Sequence, residues 1–190
     1  MKHLILTIWL PIILVSFLHA ERVQVNPERD NQIEFSAPTT ISKVVGTTDA
    51  VEGYVQWQEN DWTTQSEFSF QVDLAAIDTG IGLRNKHMRN KYLETDTYPY
   101  ATYNGSITQV DATSDTTWNI QTAGTMTIHG VEQQVEVSGT VTETADGYAV
   151  DSEFELNISD YDIKQPQFLL VKMNKVVSLS IRFYTTGVAE

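Results

Sequence analysis

The chain has 190 residues, 41% hydrophobic and 19% charged, so it carries enough apolar material for a core and is not a disordered polyelectrolyte. Its 25 Asp and Glu outnumber 12 Lys and Arg, a formal charge of −13, which argues against the broad basic surface a nucleic-acid partner requires. The absence of cysteine excludes disulfides, thiolate metal sites and a cysteine nucleophile.

At the N-terminus, Lys2 precedes an uncharged run from Leu4 to Leu18 interrupted by Pro11. This run falls short of the roughly 20 apolar residues of a spanning helix and reads as a secretory signal over residues 1–20, cleaved near Ala20. Residues 21–190 are then expected to be a periplasmic or secreted protein. From Ile33 onward no linker, charge block or repeat interrupts the chain, so one domain is expected.

The texture of that domain is β. Apolar side chains alternate at Phe68, Phe70, Val72 and Leu74, at Tyr148, Val150, Phe154, Leu156 and Ile158, and at Val177, Leu179, Ile181 and Phe183. Eight strands are expected, over residues 40–46, 51–58, 65–73, 99–111, 117–128, 133–143, 147–158 and 175–186. Between them, Gly46 to Asp49, His129-Gly130 and Asp146-Gly147 carry turn chemistry and suggest hairpins. Eight antiparallel strands with one buried face can make a sandwich or a closed barrel. The segment from Ile81 to Leu93 lacks alternation and follows Asp78 and Thr79 as candidate caps, so it reads as a short helix between strands. At 100° per residue Arg84, His87, Met88 and Lys91 share one arc, while Lys86, Arg89 and Leu93 lie opposite.

Three motifs in order carry a resemblance. The run from Ile77 to Gly105 places Arg84, His87, Met88 and Arg89 ahead of Tyr98-Pro99. Gly124 to Val137 is a strand, a His-Gly-Val turn and a strand, and Ser159 to Phe183 is a connection and a last strand. Together they resemble the YceI family of exported lipid-binding proteins. The resemblance implies an all-β fold, an eight-stranded antiparallel lipocalin-like β-barrel with the short helix inserted, and an elongated apolar cavity for an isoprenoid or fatty amphiphile. Asp162 stands where that family commonly has Gly, and Asn174-Lys175 replace a usual acidic pair.

The remaining chemistry is sparse. Apart from His3 and His19 in the signal, the histidines are His87 and His129, with no metal-ligand spacing and no nucleophile elbow, so no metal, no cofactor and no catalytic residue is expected. His129, before Gly130, reads as a turn residue bonded to its own backbone. The cluster Arg84, His87, Arg89 and Lys91 is the candidate site for a polar head group, against the alternative of cations paired with Glu94 and Asp96 on a solvated face. Phe68, Phe70, Met88, Phe154 and Phe183 are candidates for the wall around a lipid tail. A non-enzymatic carrier of an amphiphilic lipid, such as an isoprenoid, an isoprenoid quinone or a fatty acid or amide, is the leading reading, for transport, storage or stress protection. Transient membrane contact and a homodimer are compatible with it. An enzyme using His87 as acid or base, or a surface module binding a partner, are the alternatives.

Overall fold

The computed structural model describes residues 20–58, 61–168 and 170–187; the expected signal, but for Ala20, lies outside them. Among the described residues, twelve strands form: β1 (Ala20–Val25), β2 (Gln32–Pro38), β3 (Lys43–Thr48), β4 (Val51–Gln58), β5 (Glu67–Asp73), β6 (Tyr100–Ser114), β7 (Thr117–Ile128), β8 (Val131–Glu143), β9 (Tyr148–Asn157), β10 (Gln167–Phe168), β11 (Val171–Lys172) and β12 (Val176–Gly187). All pairings are antiparallel, and from β4 through β9 each strand pairs with the next.

Closure depends on β12. One of its edges takes β9, while the other takes β2 from Ser178 opposite Ser36 to Arg182 opposite Gln32, and then β1 from Thr185 opposite Val25 to Gly187 opposite Val23. β1 and β2 are therefore one stave interrupted at residues 26–31. β4 on β1 and β3 on β2 make the next stave. The result is a closed eight-staved antiparallel barrel, with β10 and β11 as a separate small hairpin.

The number of staves agrees with the expected eight, but their composition differs. Residues 20–38 form β1 and β2, which the sequence did not announce because Pro27 and the charges of residues 28–30 interrupt the alternation. The expected hairpin turn at Gly46 to Asp49 is instead a kink within a stave. β3 runs through Gly46 to Thr48, the Val51 N–H bonds the Asp49 carbonyl at 2.8 Å, and β3 and β4 continue in the same direction without pairing. The His129-Gly130 turn does form a tight hairpin. Both residues have positive φ, 53° and 75°, and a Cβ at residue 130 would lie 2.6 Å from the Tyr98 ring, so glycine is required both for the turn and for that contact.

β8 and β9 pair only from Gly139 opposite Ser152 to Glu143 opposite Tyr148, and beyond this the two strands part. A 3₁₀ turn over Ile158–Tyr161 packs beside β8, with the Gln133 side chain donating to the Asp160 carbonyl at 2.7 Å. Ile158, Tyr161, Ile163, Met126, Ile128 and Val177 bury together at this end. Val25, Val51 and Phe183 form a second cluster further along the barrel. Among the described residues no large side chain is completely shielded, because the inward faces surround a space instead of filling it.

Candidate functional site

Strand alternation produces the cavity directly. On β5, β9 and β12 the inward positions are apolar but for Ser152 and Thr185, include Phe68, Phe70, Phe154 and Phe183, and line a cavity of about 750 Å³. Phe70 packs between Phe68 at 5.6 Å and Phe183 at 5.0 Å between ring centroids. The principal polar bridge on the wall is Tyr103, whose hydroxyl lies 2.9 Å from Thr122 Oγ1, which in turn donates to the Val137 carbonyl. Burial pushes the Tyr103 phenol above its ordinary pKa despite the opposing Thr122 hydrogen bond, so it stays neutral at any physiological pH.

One end is closed by aromatics. Where the β4–β5, β6–β7 and β8–β9 connections meet, Trp62 packs on Trp57 at 5.7 Å, on Trp118 at 4.9 Å and on Tyr148 at 5.4 Å. Trp57 and Trp62 line the cavity floor. The Trp57 indole N–H is buried and has no hydrogen-bond partner among the described residues, and burial raises the pKa of Tyr148.

The other end is bounded by three segments. The first is the turn at residues 39–42. The second is a short helix α1 (Gly82–His87), which widens into a π-helical turn (Met88–Leu93). The third is the β10–β11 hairpin with its flanks. They are tied to one another: the Thr40 N–H bonds the Lys172 carbonyl at 3.1 Å, and the Gln167 N–H reaches the Tyr92 hydroxyl at 3.4 Å.

The loop before α1 sets the position of Arg84. Asp78 accepts from the Gly80 N–H and from the Asn85 side chain; these bonds, the Gly80 one foremost, hold its carboxyl below the usual carboxylate range. Asn85 in turn accepts from the Thr79 N–H and hydroxyl, and Arg84 Nε donates to Thr79 Oγ1 at 2.8 Å while Nη2 donates to the Thr79 carbonyl. Thr79 and Asp78 thus brace the loop, but neither caps the helix, whose N-cap is Ile81 with no side-chain bond. Arg84 keeps donors to spare, since its guanidinium carries five N–H groups.

Of the residues singled out in the basic segment, Arg84, His87 and Met88 line the cavity mouth; Arg89 and Lys91 do not. The regular-helix arc that grouped Lys91 with Arg84 fails because the chain turns less per residue after His87, bringing Tyr92 and Leu93 to the cavity side instead. Lys91 sits over the Tyr92 ring at 5.5 Å. Arg89 is half-buried and donates from Nη2 to the Ile77 carbonyl at 3.0 Å, with Nε unpartnered among the described residues, so it braces the same loop. None of these cations forms an ion pair with Glu94 or Asp96 among the described residues. His129 does not bond its own backbone: Nδ1 lies 3.2 Å from the Tyr161 carbonyl, Nε2 3.6 Å from Glu94, and the ring packs edge-on against Tyr98.

Sequence reasoning missed the aromatic floor, the 39–42 turn and Pro166, Gln167, Val171 and Met173, all of which contribute to the cavity or its mouth. The concentration of Trp57 and Trp62 about a turn was the available signal for the floor. Nothing local marked the two loops, because their role comes only from where the barrel places them.

A family model described as a YceI-like domain matches residues 24–184. No curated protein matches the chain in sequence. Among solved structures, the chain is similar to BcnA of Burkholderia cenocepacia, with 17% identity, 84% of this chain and 98% of that one covered, and a TM-score of 0.68. A polyisoprenoid binding domain from Saccharophagus degradans, implicated in plant cell wall breakdown, shares 18% identity over 90% of this chain and 99% of its own, with a TM-score of 0.66. A Campylobacter jejuni YCEI protein shares 14% identity over the whole of both chains at a TM-score of 0.53. At these identities the similarity establishes a common fold.

Proposed function

The chain belongs to the YceI-like domain family, and on that premise we propose that it is a non-enzymatic protein that holds an amphiphilic lipid, with the tail in the barrel and the head at the mouth. An isoprenoid, an isoprenoid quinone or a fatty acid or amide fits this chemistry, and the polyisoprenoid binding named for the Saccharophagus degradans domain supports it. Export through the uncharged N-terminal run, transport or storage of the lipid, and transient contact with a membrane complete the proposal.

The observation that carries the reading is the cavity of about 750 Å³, walled by aliphatic and aromatic side chains and bounded at its mouth by Arg84 and His87. Apolar burial favours a tail by ~0.8 kcal/mol per methylene before the costs of association. Arg84, already oriented by Thr79, can add a charge-assisted bond to an anionic head. Binding rather than turnover is also favoured because none of the ion pairs among the described residues gives His87 a carboxylate to orient it as an acid or base.

Mass spectrometry of an organic extract from protein purified without detergent tests this reading. One amphiphile in near-stoichiometric amount is expected. Protein that carries no lipid and binds neither prenyl alcohols nor fatty acids would overturn it. The head-group assignment is tested by Arg84→Gln, which should weaken a fatty acid by roughly tenfold or more while leaving the matching alcohol nearly unchanged.

A further inference from the structure

Charge is distributed unevenly around the mouth. Residues 39–44, 79–92 and 163–173 contain seven of the 12 Lys and Arg of the chain, namely Lys43, Arg84, Lys86, Arg89, Lys91, Lys164 and Lys172, and none of its 25 Asp and Glu. Lys43, Lys86, Lys91, Lys164 and Lys172 are exposed. The exposed acids Asp78, Glu94 and Asp162 flank these segments; Asp78 is engaged by the Gly80 N–H and the Asn85 side chain, and Glu94 lies 3.6 Å from His129 Nε2.

The same three segments hold most of the exposed large hydrophobic side chains. Leu170 is 91% exposed, Ile41 78%, Leu83 62% and Ile81 52%; outside these segments only Tyr100 and Val176 join them among the described residues. Ile41 and Leu170 sit on turns joined by the hydrogen bonds between Thr40 and Lys172. Ile81 and Leu83 lie at the start of α1 and also line the mouth.

Apolar tips surrounded by lysines, on an otherwise acidic protein, match the interface of an anionic bilayer: the tips enter the acyl boundary while the ammonium groups meet phosphates. The net negative charge does not prevent this. Screening acts over ~8 Å at physiological salt, and the 12 residues of β7, at ~3.3 Å each and tilted by ~40°, set the two ends of the barrel roughly 30 Å apart. A bilayer at the mouth therefore feels the lysines of the rim far more than the acids of the opposite end.

We propose that the 39–42 turn, helix α1 and the β10–β11 hairpin form a docking surface for anionic phospholipid membranes, which sets the cavity mouth against the bilayer. Its purpose rests on the lipid-holding reading above, since a carrier must exchange cargo with a membrane, but docking is measurable separately.

The test is co-sedimentation of the full chain with phosphatidylcholine vesicles, with and without phosphatidylglycerol. Selective binding to the anionic vesicles is expected, falling with salt and persisting in inorganic phosphate at matched ionic strength. The variant K43Q/K86Q/K172Q, whose three lysines lie off the cavity wall, should lose about a hundredfold in partitioning, at about fivefold per lysine. I41S/L170S should lose the salt-resistant remainder. Circular dichroism of each variant and displacement of a fluorescent fatty acid in the absence of vesicles monitor folding and cargo binding. Equal partitioning onto both vesicle types, undiminished binding by a folded lysine variant, or displacement by phosphate would overturn the proposal. Wild-type protein that holds the fatty acid but stays in solution with anionic vesicles, as a rim shaped for an acidic protein would, overturns docking and leaves the cargo reading intact. Docking without fatty-acid binding does the reverse.

Discussion

The capacity of the cavity can be turned into a length rule for its ligand. At ~30 Å³ per water-sized group, about 750 Å³ holds on the order of 25 heavy atoms, or about five isoprene units. Affinity for a series of prenyl alcohols should therefore climb with chain length up to about 25 carbons and then flatten. Each buried methylene contributes up to ~0.8 kcal/mol, so even after losses from immobilising a flexible tail each added unit should tighten binding at least tenfold below the limit. Val150→Phe shifts the limit. Val150 lines the cavity beside Phe183, and the substitution adds four heavy atoms, roughly 120 Å³ at the same ~30 Å³ each, close to one isoprene unit. The plateau should move to about 20 carbons while shorter alcohols bind nearly as before, with overpacking costing at most ~1–3 kcal/mol of stability. Competition against a fluorescent fatty acid measures the series, and thermal unfolding confirms that the variant is folded. A flat series from the shortest alcohol, or the same break point in both proteins, would refute the idea that an apolar cavity with a closed floor sets the length.

Three further outcomes are expected. Lipids brominated at the tail end should quench tryptophan emission more than lipids brominated near the head, because Trp57 and Trp62 line the floor opposite the mouth; the reverse order would mean that the head enters first. Asp162→Gly should raise stability by about 0.5–1 kcal/mol and Tm by roughly 2 °C, because residue 162 ends the 3₁₀ turn at φ 55° and ψ 18°, where a side chain is strained; a lowered Tm would show that the Asp162 carboxylate matters more than its backbone. Asp61, whose carboxylate accepts from the Thr64 and Thr63 hydroxyls and the Thr63 N–H, is held down to about 2. Its contribution is therefore fully present above the unfolded value near ~3.9 and is lost as pH falls through about 2. Asp61→Asn should thus lower the urea midpoint at neutral pH and have little effect in strong acid, and a carboxyl titrating near 4 by NMR would contradict this.

How far the sequence reached depended on the range of the interactions concerned. Alternation marked β5, β9 and β12, because a strand with one wet and one buried face must alternate, and the expected strands over 51–58 and 117–128 coincide with β4 and β7 to their end residues. The same alternation identified Phe68, Phe70, Phe154 and Phe183 as inward-facing. The His129-Gly130 hairpin was legible because two consecutive positive φ values demand that chemistry locally. Asp162, noted as standing in place of a glycine, occupies the left-handed conformation that explains why glycine is usual there.

What the sequence left undecided involves residues far apart in the chain. Whether eight strands close was settled by β12, whose single edge is shared by β1 and β2; no pattern within residues 20–38 announces a partner some 150 residues away. The helix was visible, but its widening after His87, which turns Lys91 off the cavity and Tyr92 onto it, was not. Isolated in sequence, Ile41, Leu83 and Leu170 are ordinary exposed apolar residues, and the lysines beside them an ordinary solvated charge. Only the folded barrel brings three such loops around one opening, because a closed sheet gathers alternate connections at the same end.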